Sequence, residues 1–276
     1  MYTAADLPQQ RCVSMAKILR AVKPNAGIRA RYRRRLEKEL DAMRDSVSYW
    51  LEAAYRQEES RIVGDSSPVH AILSRFNRDA RRWLKRWDIL ASWLAKSFVG
   101  QVRRKTDSSL EQAYKAAGFT VRFQPSRSLN TVTEALVSWN TGLIKSIPRQ
   151  YLEEVRGIVT SGVSMGRDLH YITRELDKRY DITRRRAAMI ARDQSDKATQ
   201  AILRTREEQM GVTEGIWVHL PGAHSSRPTH KAMNGVKFKL SEGLYDDAKG
   251  VKRHVLPGEL PNCRCSYRRI IPEFGD

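Results

Sequence analysis

Apolar side chains recur every three or four residues over most of the first 210 positions, which is the period of an amphipathic helix. Between Ile28 and about Ser60 there is no glycine or proline, and the recurring residues are Leu36, Leu40, Met43, Val47, Trp50, Leu51 and Ala54. The breaker cluster Gly64–Pro68 ends this stripe, and a second one runs from Val69 to Val99. The pattern predicts two long amphipathic helices.

Shorter helical patterns follow, and they predict helices over 108–117, 130–145, 149–160, 168–180 and 184–209. Pro148 predicts a pause because proline removes an intrahelical hydrogen bond, and Ile182-Thr183 predicts the N-cap of a new helix. Gly118 and Gly211 are expected to end their helices, since glycine readily adopts the conformation that follows a helix. Almost all of this region is therefore predicted to be helical.

Beyond Gly211 the pattern changes to short β-like runs at 216–219, 236–240 and 268–271, separated by Gly, Pro, Asn and Asp. Asn234-Gly235 predicts the turn into the second run. A unit of about sixty residues has a small core, so it needs a metal or docking on the helices. The predicted fold class is mainly α, a long-helix N-terminal region followed by a small α+β C-terminal module.

The predicted divisions of the chain are an N-terminal arm at 1–27, a helical region at 28–210 and the module at 211–276. The arm ends in the breaker cluster 23–27 and is expected to be extended or loosely helical. The alternating segment 119–124 is expected to form either a short strand or an extended crossover.

Charge points to a polyanionic partner, because 50 Lys and Arg against 31 Asp and Glu give a net charge of +19. The candidate contact residues for nucleic acid or an acidic protein surface lie in one basic stretch and are Arg75, Arg78, Arg81, Arg82, Lys85, Arg86, Arg103, Arg104 and Lys105. The alternative is an ordinary solvated helix face. Trp83 and Trp87 could stack on unpaired bases, but their spacing of four favours packing in the core.

Composition also argues against several classes of protein. No run approaches the roughly eighteen apolar residues of a membrane span, and Met1–Gln10 lacks the features of a secretory signal. Three cysteines cannot form a disulfide framework and fit a reducing compartment. No phosphate-binding glycine loop, nucleophile elbow or Asp-rich metal loop is present, so the sequence does not require catalysis.

The densest chemistry lies in the last sixty residues, where Cys263 and Cys265 would point to one face of an extended segment. A disulfide across two residues would be strained, so a shared zinc ion is one interpretation and a packed pair of buried thiols is the other. The ligands that could complete a zinc site are His230 and one of His224, His219 and His254.

The same histidines allow a different hypothesis, because the spaced series His224 to Asn234 also fits a metal-dependent His/Cys nuclease acting on DNA. No closely spaced pair of carboxylates accompanies these histidines, which argues against that enzyme. A free DNA-binding protein is a further alternative. Arg227 and Arg264 are expected to form interior salt bridges with Glu259 or Asp246.

One combination of motifs resembles a known family. Trp217, Arg227-Pro-x-His230-x3-Asn234-Gly235, Pro257-Gly-Glu and Pro-Asn262-Cys-Arg-Cys265 together resemble the C-terminal signature of the phage Mu F-like minor head proteins, also called phage head morphogenesis proteins. Upstream, the helix 184–209 with Ile190-Ala-Arg-Asp-Gln194, the segment 143–148 and the arm around 22–26 are also similar to that family.

The resemblance implies a low-copy virion protein in the capsid interior or at the portal vertex, acting in head assembly and DNA delivery. The implied partners are the portal protein and packaged double-stranded DNA, with the major capsid protein as a further candidate and no membrane. Some relatives carry Cys at the positions of Arg227 and His230 and His at the position of Leu260. Two of those possible ligands are absent here, and His224 would substitute for a missing one. The candidate metal ligands are therefore His224, His230, Cys263 and Cys265.

Overall fold

The computed structural model describes residues 17–58, 67–165, 169–221 and 226–271. Four long helices dominate it, and they are α1 (Ala26–Glu58), α2 (Ser67–Ala116), α3 (Arg127–Ser164) and α4 (Leu169–Gln209). Helices account for 69% of the structure, which confirms the predicted mainly α class. None of the helices among the described residues combines the length and apolar character that crossing a bilayer requires.

The four helices pack around one apolar core. Asn25 starts α1 by accepting the Ile28 backbone N–H on its side-chain oxygen at 2.9 Å. The stripe of α1 that includes Leu36 and Leu40 is buried as the helical period predicts, except for Trp50, which is 47% exposed. The same core takes in Trp87 of α2, so the packing expected for this tryptophan is confirmed. We call α1 to α3 and the first half of α4 the helical body.

Two predicted helix breaks are absent, because packing continues across them. The predicted helices 69–99 and 108–117 are one helix, α2, in which Val102, Thr106 and Leu110 continue the buried side. The predicted pause at Pro148 is also wrong, since α3 runs through it. Proline removes a helical hydrogen bond, but Pro148 is buried and α3 packs against both α2 and α4.

The predicted start of a new helix at Ile182-Thr183 is wrong as well. Helix α4 continues through Thr183, whose hydroxyl donates to the Arg179 carbonyl at 2.9 Å instead of capping a new helix. The predicted helix ends at Gly118 and Gly211 are correct, and both glycines have positive φ, 93° and 70°. Local signals for ending a helix therefore hold where the core ends and fail where it continues.

The C-terminal module is built on an antiparallel sheet of four strands. Their order across the sheet is β1 (Lys17–Leu19), β6 (Ser266–Ile271), β2 (Glu214–Val218) and β3 (Lys237–Lys239). Its elements are β2 (Glu214–Val218), the short helix α5 (Pro228–Ala232), β3 (Lys237–Lys239), β4 (Leu244–Asp246), β5 (Arg253–Val255) and β6 (Ser266–Ile271). Strands β4 and β5 form a separate two-stranded ribbon. The small strand-containing module predicted from the sequence is confirmed.

The strand β1 (Lys17–Leu19) comes from the opposite end of the chain and pairs with β6. Ser266 strengthens this closure by donating its hydroxyl to the Val22 carbonyl at 3.0 Å. The described part of the predicted arm is therefore extended up to α1 and forms an edge strand of the module. In contrast, segment 119–124 contains no strand and is an extended connection, as one of the two expectations had it.

The module docks on the ends of α2 and α4. Its apolar cluster includes Leu110 and Leu203 from those helices together with its own Trp217 and Tyr267. A charged pair joins the two parts, with the fully buried Arg269 of β6 contacting Glu207 of α4.

Burial raises the pKa of Glu207, while the charge of Arg269 and the hydroxyl of Tyr267, which donates to the Glu207 carboxylate, act in the opposite direction. The pKa of Tyr267 is raised well above its ordinary value, mainly by burial. Docking thus places a carboxylate, a guanidinium and a phenol together in a water-excluded interface.

Candidate functional site

Three elements of the module bring the predicted histidine and cysteine side chains together. His230 lies on α5, which begins at Pro228, a residue type suited to the first turn of a helix. Cys263 and Cys265 lie just before β6, after a turn in which Asn262 has a φ of 58°. Two separate segments, α5 and the run that leads into β6, therefore hold these three side chains.

His219 joins them through the register of the sheet. In the antiparallel pair of β2 and β6, Val218 lies opposite Ser266. Continuing this register by one residue places His219 opposite Cys265, and its Nδ1 lies 3.6 Å from the Cys265 Sγ. The Asn234 side chain holds the segment by accepting the His219 backbone N–H at 2.9 Å.

The centre of the cluster is His230. Its Nδ1 lies 3.4 Å from the Cys263 Sγ and 3.6 Å from the Cys265 Sγ. The three side chains are buried, with 2–3% of their surface exposed. Among the described residues, these three form a group that could hold a metal ion, with ligand atoms within 4.8 Å of one another.

Asp246 fixes the orientation of His230 from the other side. Its Oδ2 lies 3.2 Å from the His230 Nε2, and its Oδ1 accepts the Ala248 backbone N–H at 3.0 Å. Burial acts to raise the pKa of Asp246, but the Ala248 N–H and His230 lower it below its ordinary value. Because a carboxylate can only accept, the His230 proton belongs on Nε2, and the lone pair of Nδ1 faces the two sulfurs.

The two thiols differ in acidity although they are two residues apart. The hydrogen bond from Cys265, together with His230, lowers the pKa of Cys263 in spite of burial. The pKa of Cys265 is raised, because it donates to Cys263 and is buried. The two thiols therefore lose their protons in separate steps, as a coupled pair.

The other predicted site residues are not part of the cluster of His230, Cys263 and Cys265 described above. His224, a predicted ligand, lies outside the described residues, and so does the third cysteine of the chain, Cys12. His254 is exposed on β5 and its ring contacts Tyr245, so it lies outside the cluster.

The salt bridges expected for Arg227 and Arg264 are not formed among the described residues. Glu259 pairs with Arg253, and Asp246 pairs with His230, while Arg227 donates to the Pro261 carbonyl at 3.0 Å. The role of Asp246 was missed because no local pattern in the sequence connects it with His230.

The basic stretch lies entirely on α2. Seven of its nine candidate residues are exposed, while Arg75 and Arg103 are half-buried. Arg86 is paired with Glu39 of α1 at 2.8 Å. In the described parts of the chain, no carboxylate lies within ion-pair distance of Arg78, Arg81, Arg82 or Lys85. These four side chains form an uncompensated cationic surface, which we call the α2 basic face.

Comparison with known proteins connects the module to a family. Residues 153–268 match the family described as Phage Mu protein F like protein, which confirms the resemblance seen in the sequence. This region runs from the second half of α3 into β6, so it contains the whole His/Cys cluster and Asp246.

One curated relative is an uncharacterized protein from Haemophilus influenzae, 32% identical over 145 residues. That match takes in 50% of this chain and 30% of the relative, so the chain covers less than a third of the relative's length. No solved structure matches the chain.

Proposed function

We propose that the protein is a minor head protein of a bacteriophage and acts in head assembly, because residues 153–268 match the family described as Phage Mu protein F like protein. The observation that carries this proposal is that the matched region takes in α4 and most of the C-terminal module, from β2 to the start of β6. It contains the cluster of His230, Cys263 and Cys265 and a helix on which the module docks. In this proposal the module is a structural unit, and the protein acts by binding other head components through its exposed surfaces.

The surroundings of the histidines favour a structural role over a nuclease. A general base needs a nitrogen that can reach substrate, but His230 is 2% exposed and both of its ring nitrogens have partners. Asn234, which the nuclease hypothesis also includes, accepts the His219 backbone N–H and so holds that segment. These contacts support a module whose polar residues maintain its own structure.

The helical body supplies the surface for partners in this proposal. Portal protein and packaged double-stranded DNA both present acidic surfaces, and the α2 basic face offers four cations that have no ion-pair partner among the described residues. The major capsid protein is a further candidate partner. In this arrangement the protein sits in the capsid interior or at the portal vertex, where it meets DNA during packaging and delivery.

The assembly role is tested by growing the phage that carries this chain with and without it. We expect the chain in purified particles at a few copies per portal, measured by quantitative mass spectrometry, and a fall in the yield of DNA-filled heads without it. Its absence from particles would refute the proposal. Plasmid nicking by the purified chain with Zn²⁺ or Mg²⁺, abolished by His230→Ala, would instead support the nuclease.

The DNA interaction is tested by changing the α2 basic face to Arg78→Ala/Arg82→Ala/Lys85→Ala. Every phosphate that the variant no longer neutralises should reduce the slope of log affinity against log salt by about 0.9. We therefore expect a reduction of up to roughly 2.7 in that slope and a weaker affinity for duplex DNA. The measurement is a fluorescence anisotropy titration at several salt concentrations.

A matched control has the same charge change on exposed residues elsewhere, Arg174→Ala/Arg185→Ala/Lys249→Ala. Equal reductions of affinity and slope in both triple variants would mean that net charge alone attracts DNA. That result would remove the α2 basic face from the proposal.

A further inference from the structure

We infer that His219, His230, Cys263 and Cys265 bind one zinc ion, with Asp246 orienting His230. This inference rests on side-chain geometry and is independent of the role in head assembly. It assigns His219 the ligand position for which the sequence pattern suggested His224. The ion would be structural, because four protein ligands leave no open position for a substrate or a water molecule.

Three of the four nitrogen–sulfur pairs have the spacing of a tetrahedral zinc site. Zinc lies at about 2.3 Å from thiolate sulfur and about 2.0–2.1 Å from imidazole nitrogen, so tetrahedral angles place the nitrogen and sulfur ligands roughly 3.5–3.6 Å apart. These three distances are 3.4 Å, 3.6 Å and 3.6 Å. His219 lies outside the group whose ligand atoms are all within 4.8 Å of one another, so its ring would move closer to the other ligands when an ion binds. Cys265 lies at ligand spacing from both histidines, and His230 lies at ligand spacing from both sulfurs.

The donor atoms also have the chemistry that a metal requires. Asp246 places the proton of His230 on Nε2, so Nδ1 presents a lone pair to the two sulfurs. An ion at the centre of the cluster would accept a lone pair from every one of the convergent sulfur and nitrogen atoms. A carboxylate on the far nitrogen of a ligating histidine is the usual outer partner in zinc sites.

The position in the fold explains what an ion would do. His219 follows β2, His230 lies on α5, and the cysteines precede β6, so one ion would join α5 to the segments beside these two paired strands. Domains of this size commonly use a metal to complete a small core. A disulfide cannot replace it, because two cysteines separated by one residue would form a strained bridge.

The test uses the full chain, purified in reductant. We expect one zinc ion per chain by mass spectrometry of the metal. Replacement by Co²⁺ should give the intense visible bands of tetrahedral coordination and a thiolate-to-cobalt charge-transfer band. Chelation should lower the melting temperature, and added Zn²⁺ should restore it. A reduced, folded chain that binds neither ion would overturn the inference.

Variants identify the ligands. His219→Ala should weaken the affinity for Co²⁺ and alter its visible spectrum, whereas His254→Ala, on an exposed histidine, should change neither. His224→Ala should also bind normally. If His224→Ala loses the tetrahedral spectrum and His219→Ala keeps it, the assignment of His219 is wrong.

The role of Asp246 is tested by Asp246→Asn, which keeps the size of the side chain but weakens its acceptance of the His230 proton. Outer partners of this kind typically contribute 10–100-fold to metal affinity, and we expect a reduction of about that size with an unchanged ligand set in the Co²⁺ spectrum. Circular dichroism establishes that each variant is folded. An unchanged affinity in folded Asp246→Asn would remove Asp246 from the site.

Discussion

The C-terminal module and its docking surface bury charged side chains completely, whereas the fully buried side chains of the helical body are mostly apolar, with Asn140 as an exception. The body buries apolar stripes, such as that of Leu36 and Leu40, over helices of 33 to 50 residues. The module and its docking surface bury Glu207, Arg269 and Asp246 with no exposed surface. Apolar burial is non-directional, whereas buried polar groups require particular partners. The body can therefore adjust to small changes, while the module depends on a few specific contacts.

Size accounts for much of this difference. A small unit buries a lower fraction of its surface than a large one, so the module has less apolar area with which to stabilise its fold. It borrows Leu110 and Leu203 from the helices and adds the pair of Arg269 and Glu207. These polar contacts also fix how the module sits on α4, which non-directional packing alone does not do.

The largest expected effect comes from removing one member of the buried charged pair. Arg269→Leu leaves Glu207 in the interface without its cation, and breaking a buried pair in this way typically costs about 3–5 kcal/mol. We expect a decrease of that size in the free energy of unfolding, measured by chemical denaturation of the full chain.

Two control variants make this result specific. Arg268→Leu, on the exposed neighbour in β6, should change the free energy of unfolding by less than about 0.5 kcal/mol. Glu207→Leu combined with Arg269→Leu should recover much of the stability, since an apolar pair can replace a buried ion pair. If Arg269→Leu and Arg268→Leu change the free energy of unfolding by the same amount, buried charge does not distinguish the module from the body.

The corresponding test in the body is Leu36→Ala, which removes a fully buried side chain of α1. Such a change leaves a cavity and typically costs about 2–5 kcal/mol. Ile89→Ala is the control, because Ile89 is 71% exposed and its truncation should have little effect. Leu36→Met, which nearly conserves volume, should cost less than about 1.5 kcal/mol. A large destabilisation in Leu36→Met would show that the body is as specific as the module.

The sequence was sufficient to predict the structure of the helical body wherever the helical period determined it. The buried stripe of α1, apart from Trp50, follows from spacing, and the helix ends at Gly118 and Gly211 follow from the residue type. Errors arose at Pro148 and Thr183, which carry local signals for a break. Whether a helix continues through such a residue depends on the helices packed on both sides, and these are distant in sequence.

The candidate site was only partly predictable for a related reason. Spacing singled out His230, Cys263 and Cys265, and the structure brings them together. The position of His219 beside Cys265 depends on the pairing of β2 with β6, a register that no local pattern encodes. The partnership of Asp246 with His230 similarly depends on where the β4–β5 ribbon lies.

The smallest expected effect tests the boundary between body and module, where Ser126 has two roles. Its hydroxyl accepts the Leu129 backbone N–H at 3.2 Å, capping α3, and Gln209 at the end of α4 donates to it. Ser126→Ala removes both hydrogen bonds, and removal of an N-cap typically costs about 1 kcal/mol. Thermal and chemical unfolding of the full chain measure this change.

Two comparisons separate the cap from the hydrogen bond with Gln209. Ser128→Ala removes the hydrogen bond from Gln209, at 2.9 Å, and the longer one with the Ser126 hydroxyl, at 3.4 Å, but leaves the cap in place and should cost less than Ser126→Ala. Ser126→Asp keeps a capping oxygen and should retain most of the stability. Equal destabilisation in Ser126→Ala and Ser128→Ala would show that the hydrogen bonds between α3 and α4 contribute the effect. The directional interactions that characterise the module would then extend into the start of α3.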